Sequence, residues 1–222
     1  MSGRFAPKAI LFDLDGTLLD TVADLAEAAN AMLTELGRPA LGEELLRSFL
    51  GKGVHDLIQR CLAESGEPSA AETDAAREIF RRQYLRVSGQ STRAYPGVPE
   101  LLAALEARGM KMAVVTNKSA VFTLPLLERF GFSRYFGAVV CGDTLPTRKP
   151  DPAMICHACD LLGVRPEESL MIGDSSNDSL AARAANAPVL LMTYGYSEGM
   201  PVESLDCDGL LERAGQVLDR LC

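Results

Sequence analysis

Four short polar clusters in this chain hold residue types able to do chemistry: Asp13-Leu14-Asp15-Gly16-Thr17, Thr116-Asn117-Lys118, Lys149-Pro150 and Gly173-Asp174-Ser175-Ser176-Asn177-Asp178. Taken singly, each has a plain structural explanation. An acid after a strand can cap the next helix. Thr116-Asn117 suits a turn, Lys149 suits a solvated surface, and Asp174 and Asp178 suit the first turn of a helix, where the dipole favours negative charge. Four independent caps, however, need not follow the order acid–acid, hydroxyl, lysine, acid. Together the clusters meet the demands of phosphate ester hydrolysis. A carboxylate nucleophile divides the reaction into two easier steps, but anion attacking anion requires cations. Two carboxylates offer hard oxygen ligands to Mg²⁺, which keeps several waters and also binds phosphate. Lys149 adds positive charge, and the Thr116 hydroxyl and Asn117 amide are expected to hydrogen-bond phosphoryl oxygens. This is positioning plus electrostatics, the usual demand of phosphoryl transfer.

The elements that would position these groups are short apolar runs. Ala9–Phe12, Met112–Val115, Ala138–Cys141 and Leu170–Ile172 each precede one cluster, Lys149 following its run after a few residues, and Val189–Met192 adds a fifth run. Continuous apolar runs of this length read as buried parallel strands. Helical patterns separate them: Val98, Leu101, Leu102 and Leu105 share one face, as do Phe122, Leu126 and Leu127. The alternation predicts an α/β fold, a doubly wound and mostly parallel sheet with helices on both faces. In such sheets ligands bind at the carboxyl ends of the strands, so the four clusters would converge. The stretch 20–93 differs. It shows no convincing strand, and Val22 to Leu36, Val54 to Leu62 and Ala76 to Val87 repeat at helical spacing, broken at Gly37-Arg38-Pro39 and Gly66-Glu67-Pro68. We read residues 1–19 and 94–222 as a discontinuous α/β core and 20–93 as an inserted all-α domain.

Composition excludes several classes. Hydrophobic residues at 47% and charged residues at 23% are ordinary globular values, and no run approaches the ~20 apolar residues of a membrane span. The first residues lack an apolar signal core. The six cysteines are scattered rather than framed as a disulfide scaffold, so reduced thiols in a cytoplasmic protein are expected. Cys156 and Cys159 offer half of a zinc site, but no second pair exists and their flanks read as a helix, so they are assigned to the core. A net charge of −8 argues against nucleic acid or an anionic membrane as partner while leaving room for a local positive field in a cleft. With only His55 and His157, no G-x-S-x-G elbow and no P-loop, triad and nucleotide-hydrolase chemistries fit badly.

Phe12-Asp13-Leu14-Asp15-Gly16-Thr17-Leu18, followed by Asp20-Thr21 and by the three later clusters, resembles the four motifs of the haloacid dehalogenase superfamily, over essentially the whole chain, with the helical insert resembling its small α-helical cap. The resemblance implies Asp13 as nucleophile and Asp15 as general acid, then base. It implies Mg²⁺ held by the Asp13 carboxylate, the Asp15 backbone carbonyl and Asp174, with Asp178, Gly16 and Thr17 in support. Relatives that cleave carbon–halogen bonds lack the second aspartate, because a halide leaves without a proton and an alkoxide does not. Thr92-Arg93-Ala94-Tyr95-Pro96-Gly97-Val98, Leu50-Gly51-Lys52-Gly53-Val54 and Met192-Thr193-Tyr194-Gly195-Tyr196 resemble the bacterial phosphoglycolate phosphatases. They imply 2-phosphoglycolate as substrate, with Lys52 the candidate for its carboxylate. Asn186 departs from the glycine usual there, although asparagine tolerates the left-handed region. The alternatives are a sugar-phosphate phosphatase or β-phosphoglucomutase-like enzyme, and, from another class, a non-catalytic binding relative. The partner expected is a small phosphorylated metabolite, the protein itself being a monomer or homodimer.

Overall fold

The computed structural model of the chain describes residues 4–51 and 53–222. Lys52, expected to select the substrate, lies outside the described residues. β1 (Ala9–Phe12) runs into a tight turn and the two-residue β2 (Leu19–Asp20). Four helices follow: α1 (Val22–Glu35), α2 (Glu43–Ser48), α3 (Val54–Ala63) and α4 (Ala70–Val87). β3 (Arg93–Ala94) then returns antiparallel to β2, pairing Leu19 with Ala94 and Asp20 with Arg93. The remainder alternates: α5 (Val98–Ala107), β4 (Lys111–Val115), α6 (Ala120–Arg129), β5 (Ala138–Val140), α7 (Ala153–Leu162), β6 (Ser169–Gly173), α8 (Ser176–Ala184), β7 (Val189–Met192), β8 (Gly209–Leu211) and α9 (Gln216–Asp219). The six longer strands form one parallel sheet in the order β5-β4-β1-β6-β7-β8.

Side chains alternate across a strand, and in β1 both faces are apolar. Ile10 and Phe12 pack with Leu101, Leu102 and Leu105 of α5, Leu126 and Leu127 of α6 and Val217 of α9. Ala9 and Leu11 pack with Met154, Ile155, Ala158 and Cys159 of α7 and Ala181 and Ala182 of α8. This two-sided burial makes the strand a continuous apolar run, and it is the doubly wound architecture expected. Cys159 lies in that second cluster and Cys156 against its edge, which accounts for their spacing by packing. Asn186 sits at φ 58°, the left-handed conformation asparagine tolerates.

The helical insert has its own apolar cluster, built from α1, α3 and α4 with Leu46 of α2, and joined by Phe122 and Tyr196. Its base is tied by Asp24, fully buried in the first turn of α1. That carboxylate accepts hydrogen bonds from the backbone of Gly89 at 2.8 Å, Ser91 at 2.7 Å and Thr92 at 3.0 Å, and from the Thr92 hydroxyl at 2.5 Å. Four donors satisfy a charge that burial would otherwise penalise.

Five elements go beyond the sequence expectation: the two-residue β2 and β3, the four-residue α9, and β8 and α2. β8 was not expected, because three residues beginning with glycine present neither a long apolar run nor a clear alternation. α2 was not expected either, since Leu46 is the only residue it buries and one residue sets no period.

Candidate active site

Asp13 is the first residue beyond β1, the central strand, so its carboxylate emerges at the carboxyl edge of the sheet between the ends of β4 and β6. The turn that follows folds back on itself: Leu14 O accepts from Leu18 N and Leu19 N, and Gly16 N donates to Leu19 O. Gly16 holds φ 85°, and a Cβ there would collide with the Asp174 carboxylate. Only glycine lets the turn lie this close to Asp174. Thr17, fully buried, donates through Oγ1 to Asp174 Oδ1 at 2.8 Å. The turn thus presents Asp13 and Asp15 on one side and braces Asp174 on the other.

Lys149 reaches the same place from the segment after β5. Its ammonium is buried and contacts Asp13 Oδ1 at 3.1 Å, Asp178 Oδ1 at 2.6 Å and the Val115 carbonyl at 2.7 Å. The other oxygen of Asp178 accepts from Asp174 N at 3.2 Å, Ser175 N at 3.1 Å and Ser175 Oγ at 2.9 Å. Asp178 therefore closes a capping box at the start of α8 and anchors the lysine at once. Asn117 differs from expectation. Its amide nitrogen donates to Lys149 O at 3.0 Å and its amide oxygen accepts from Lys149 N at 2.9 Å. Both ends of the side chain brace the lysine-bearing segment, although Asn117 also lines the cavity. Thr116 lines the cavity, and its hydroxyl oxygen accepts from Lys118 N at 3.2 Å.

The electrostatics call for a cation. Asp13, Asp174 and Asp178 present carboxylate oxygens within 4.8 Å of one another. Burial pushes Asp13 up to about 7, with Lys149 pulling it down and Asp178 and Asp15 raising it further. Asp174 is pushed well above the ordinary carboxylate range by burial and by its two acidic neighbours. One buried ammonium does not balance two buried carboxylates and the half-buried Asp13, and hard oxygen donors of this kind suit a divalent cation such as Mg²⁺. Asp178 takes four donors on its two oxygens, whereas Asp174 takes one on each, from Thr17 and Tyr196, and Asp13 takes Leu14 N and Lys149 Nζ on Oδ1, which leaves Asp13 and Asp174 better placed to ligate.

Three functional contacts were not foreseen in the sequence. Lys118, buried, contacts both oxygens of Asp15 at 3.0 Å and lies 4.8 Å from the centre of the Tyr84 ring of α4. Thr21 Oγ1 donates to Asp15 Oδ1 at 2.7 Å. Tyr196 N donates to Asp174 Oδ2 at 2.8 Å, while its hydroxyl accepts from Thr21 N at 2.7 Å. All three residues adjoin strand ends or the first turn, so their positions were legible but their partners were not. One cavity gathers Asp13, Asp15, Thr116 and Lys118 against Leu50 and Leu57 of the insert. It holds about 50 Å³ of water-accessible space, room for only a few waters at ~10–15 Å³ each.

The haloacid dehalogenase-like hydrolase profile matches residues 10–192, the span that holds all of these groups but Tyr196. The chain belongs to that family. Its curated relatives include phosphoglycolate phosphatases of Nitrosospira multiformis, 48% identical over 92% of this chain and 91% of that protein, and of Thiobacillus denitrificans, 46% identical over the same shares. Among solved structures, a predicted phosphoglycolate phosphatase from Haemophilus somnus superposes with a TM-score of 0.91 at 34% identity, covering 96% of each chain. CbbY from Rhodobacter sphaeroides, solved with phosphate, superposes at 0.81 with 26% identity, covering 95% of this chain and 96% of that one. Within the family this protein is an enzyme, a phosphoric monoester hydrolase of the phosphoglycolate phosphatase-like kind.

Proposed function

We propose that the enzyme hydrolyses 2-phosphoglycolate through a phosphorylated Asp13. The observation that carries the mechanism is the pairing of two unlike carboxylates at the end of β1: Asp13, in contact with Lys149, and Asp15, held by Lys118 and Thr21. Asp13 attacks phosphorus and the ester oxygen leaves as an alcohol, taking its proton from Asp15. Asp15 then accepts a proton from the water that hydrolyses the aspartyl-phosphate. Lys149 offsets phosphoryl charge, and the Thr116 hydroxyl donates to a phosphoryl oxygen. Mg²⁺ would be held by the Asp13 carboxylate, the Asp15 backbone carbonyl and Asp174, where it supplies charge neutralisation for the anionic nucleophile and phosphate. Asp178, Gly16 and Thr17 keep those groups in place.

Residues 20–93 act as a cap on the core of 1–19 and 94–222. Support comes from their separate apolar cluster, their two-segment connection through β2 and β3, and the side chains of Leu50 and Leu57 in the cavity wall. Closure excludes water and samples the substrate beyond its phosphate. The names of the relatives at 46% and 48% identity favour a two-carbon ester. Free thiols at all six cysteines accord with a reducing cytoplasm. The test is a panel of phosphate monoesters assayed with Mg²⁺. We expect kcat/KM for 2-phosphoglycolate to exceed that for hexose and pentose phosphates by roughly tenfold or more. Better turnover of a sugar phosphate would overturn the substrate, and no turnover of any ester would overturn the mechanism.

A further inference from the structure

We propose that Lys118 selects the substrate by binding its second anionic group, a carboxylate one carbon from the phosphate ester, and that it does so by exchanging Asp15 for that group. The inference rests on the reading of the protein as a phosphatase of a small carboxylated ester.

Lys118 lines the catalytic cavity with Asp13 and Asp15. Among the described residues that line it, no other is a lysine or arginine. Four of the remaining positions are Leu25, Leu50, Val54 and Leu57. A carboxylate entering such a space leaves water for an apolar wall, a penalty that only a close cation offsets. The lysine is itself buried. Its ammonium is paired there with the Asp15 carboxylate.

Geometry places the ammonium where the substrate's acid group must lie. Lys118 Nζ sits 3.0 Å from both Asp15 oxygens. A proton donor must stand about one hydrogen bond, roughly 3 Å, from the ester oxygen it protonates. In 2-phosphoglycolate a single methylene separates that oxygen from the carboxylate carbon. The carboxylate therefore comes within reach of the same ammonium when Asp15 faces the ester oxygen. Asp15 keeps a second partner in Thr21 Oγ1 at 2.7 Å, which holds it in position when the lysine turns away. The Tyr84 ring, 4.8 Å from Nζ, fixes the other side of the ammonium and belongs to α4. The cation thus lies at the seam between insert and core, where closure would complete its surroundings. An ester with an uncharged tail has nothing to offer the lysine and leaves it on Asp15.

The readout is the ratio of kcat/KM for 2-phosphoglycolate to that for ethyl phosphate, which has the same ester and no carboxylate. Removing Lys118 disturbs Asp15 for both substrates, and the ratio cancels that common loss. In Lys118→Met and Lys118→Gln we expect the ratio to fall by roughly ten- to a hundredfold, with most of the change in KM, and Lys118→Arg to restore part of it. A ratio within about threefold of wild type, in a variant whose melting curve shows it folded, would overturn the inference and leave Lys118 as a group that only positions Asp15. Should neither variant fold, ¹⁵N-lysine spectra of the Asp13→Asn protein decide the matter. The Lys118 ammonium resonance should move on addition of 2-phosphoglycolate and not of ethyl phosphate, and a resonance that ignores both ligands overturns the proposal. The substrate reading fails separately: a wild-type ratio near one defeats it together with this inference, whereas a high wild-type ratio that survives in the variants defeats this inference alone.

Discussion

Asp13 and Asp15 are two residues apart on one turn, yet their surroundings differ, and the proposed mechanism gives them different work. Asp13 faces Lys149, two further carboxylates and little solvent, and burial raises it to about 7 without a metal. Asp15 faces Lys118 and Thr21 at the mouth of the cavity. Asp13→Asn should abolish turnover and the hydroxylamine-labile phosphoryl adduct trapped by acid quench; activity above a few per cent of wild type, with contamination excluded, would sink the covalent mechanism. Asp15→Asn should slow phosphorylation by alkyl phosphates far more than by p-nitrophenyl phosphate, whose leaving group needs no proton. Single-turnover rates are the measurement, and equal losses on both substrates would remove Asp15 from the acid's role.

The turn between β1 and β2, the segment carrying Lys149 and the start of α8 are irregular elements whose backbone places the site. Gly16 shows this most directly, because a Cβ at φ 85° would push on Asp174. Gly16→Ala should raise the Mg²⁺ concentration needed for half-maximal activity by roughly tenfold or more, as losses in a metal's supporting shell do. An unchanged Mg²⁺ titration would mean that the turn yields and Asp174 does not. At the other end of the insert, Asp24 gathers four donors from the Gly89–Thr92 return. Asp24→Ala leaves those buried donors unpaired at a cost of about 1–3 kcal/mol, a fall of several degrees in melting temperature. A melting curve superimposable on wild type would show that solvent replaces the carboxylate freely.

Across the whole molecule, buried negative charge links stability to pH and to metal. A carboxyl whose folded pKa is raised binds its proton more tightly in the native state, so its contribution to stability is gained as pH falls through the folded value and lost as pH rises. For Asp13 that window opens below about 7 and extends toward the ordinary aspartate value of 3.8, and Asp174 acts in the same direction. The chelator-treated protein should accordingly melt higher near pH ~5.5 than near pH ~8, and Mg²⁺ should stabilise it most at the higher pH. A flat or inverted profile, read by calorimetry, would separate these acids from the metal site. The fold class and the converging clusters were legible in the sequence because they depend on local signals: apolar runs of strand length such as Ala9–Phe12, helical spacing such as Val98 to Leu105, and polar residues placed where each run stops. The division of labour among the side chains was not. Asn117 spends its amide on Lys149, 32 residues away, Lys118 finds Asp15 across 103 residues, and Tyr196 reaches Thr21 across 175. A side chain's type states what it can bond to, but which partner it takes is set by distance in the folded chain, and those distances exist only once the strands have stacked β4 and β6 on either side of β1. For the same reason β8, too short to declare itself, becomes a strand only because β7 offers it an edge.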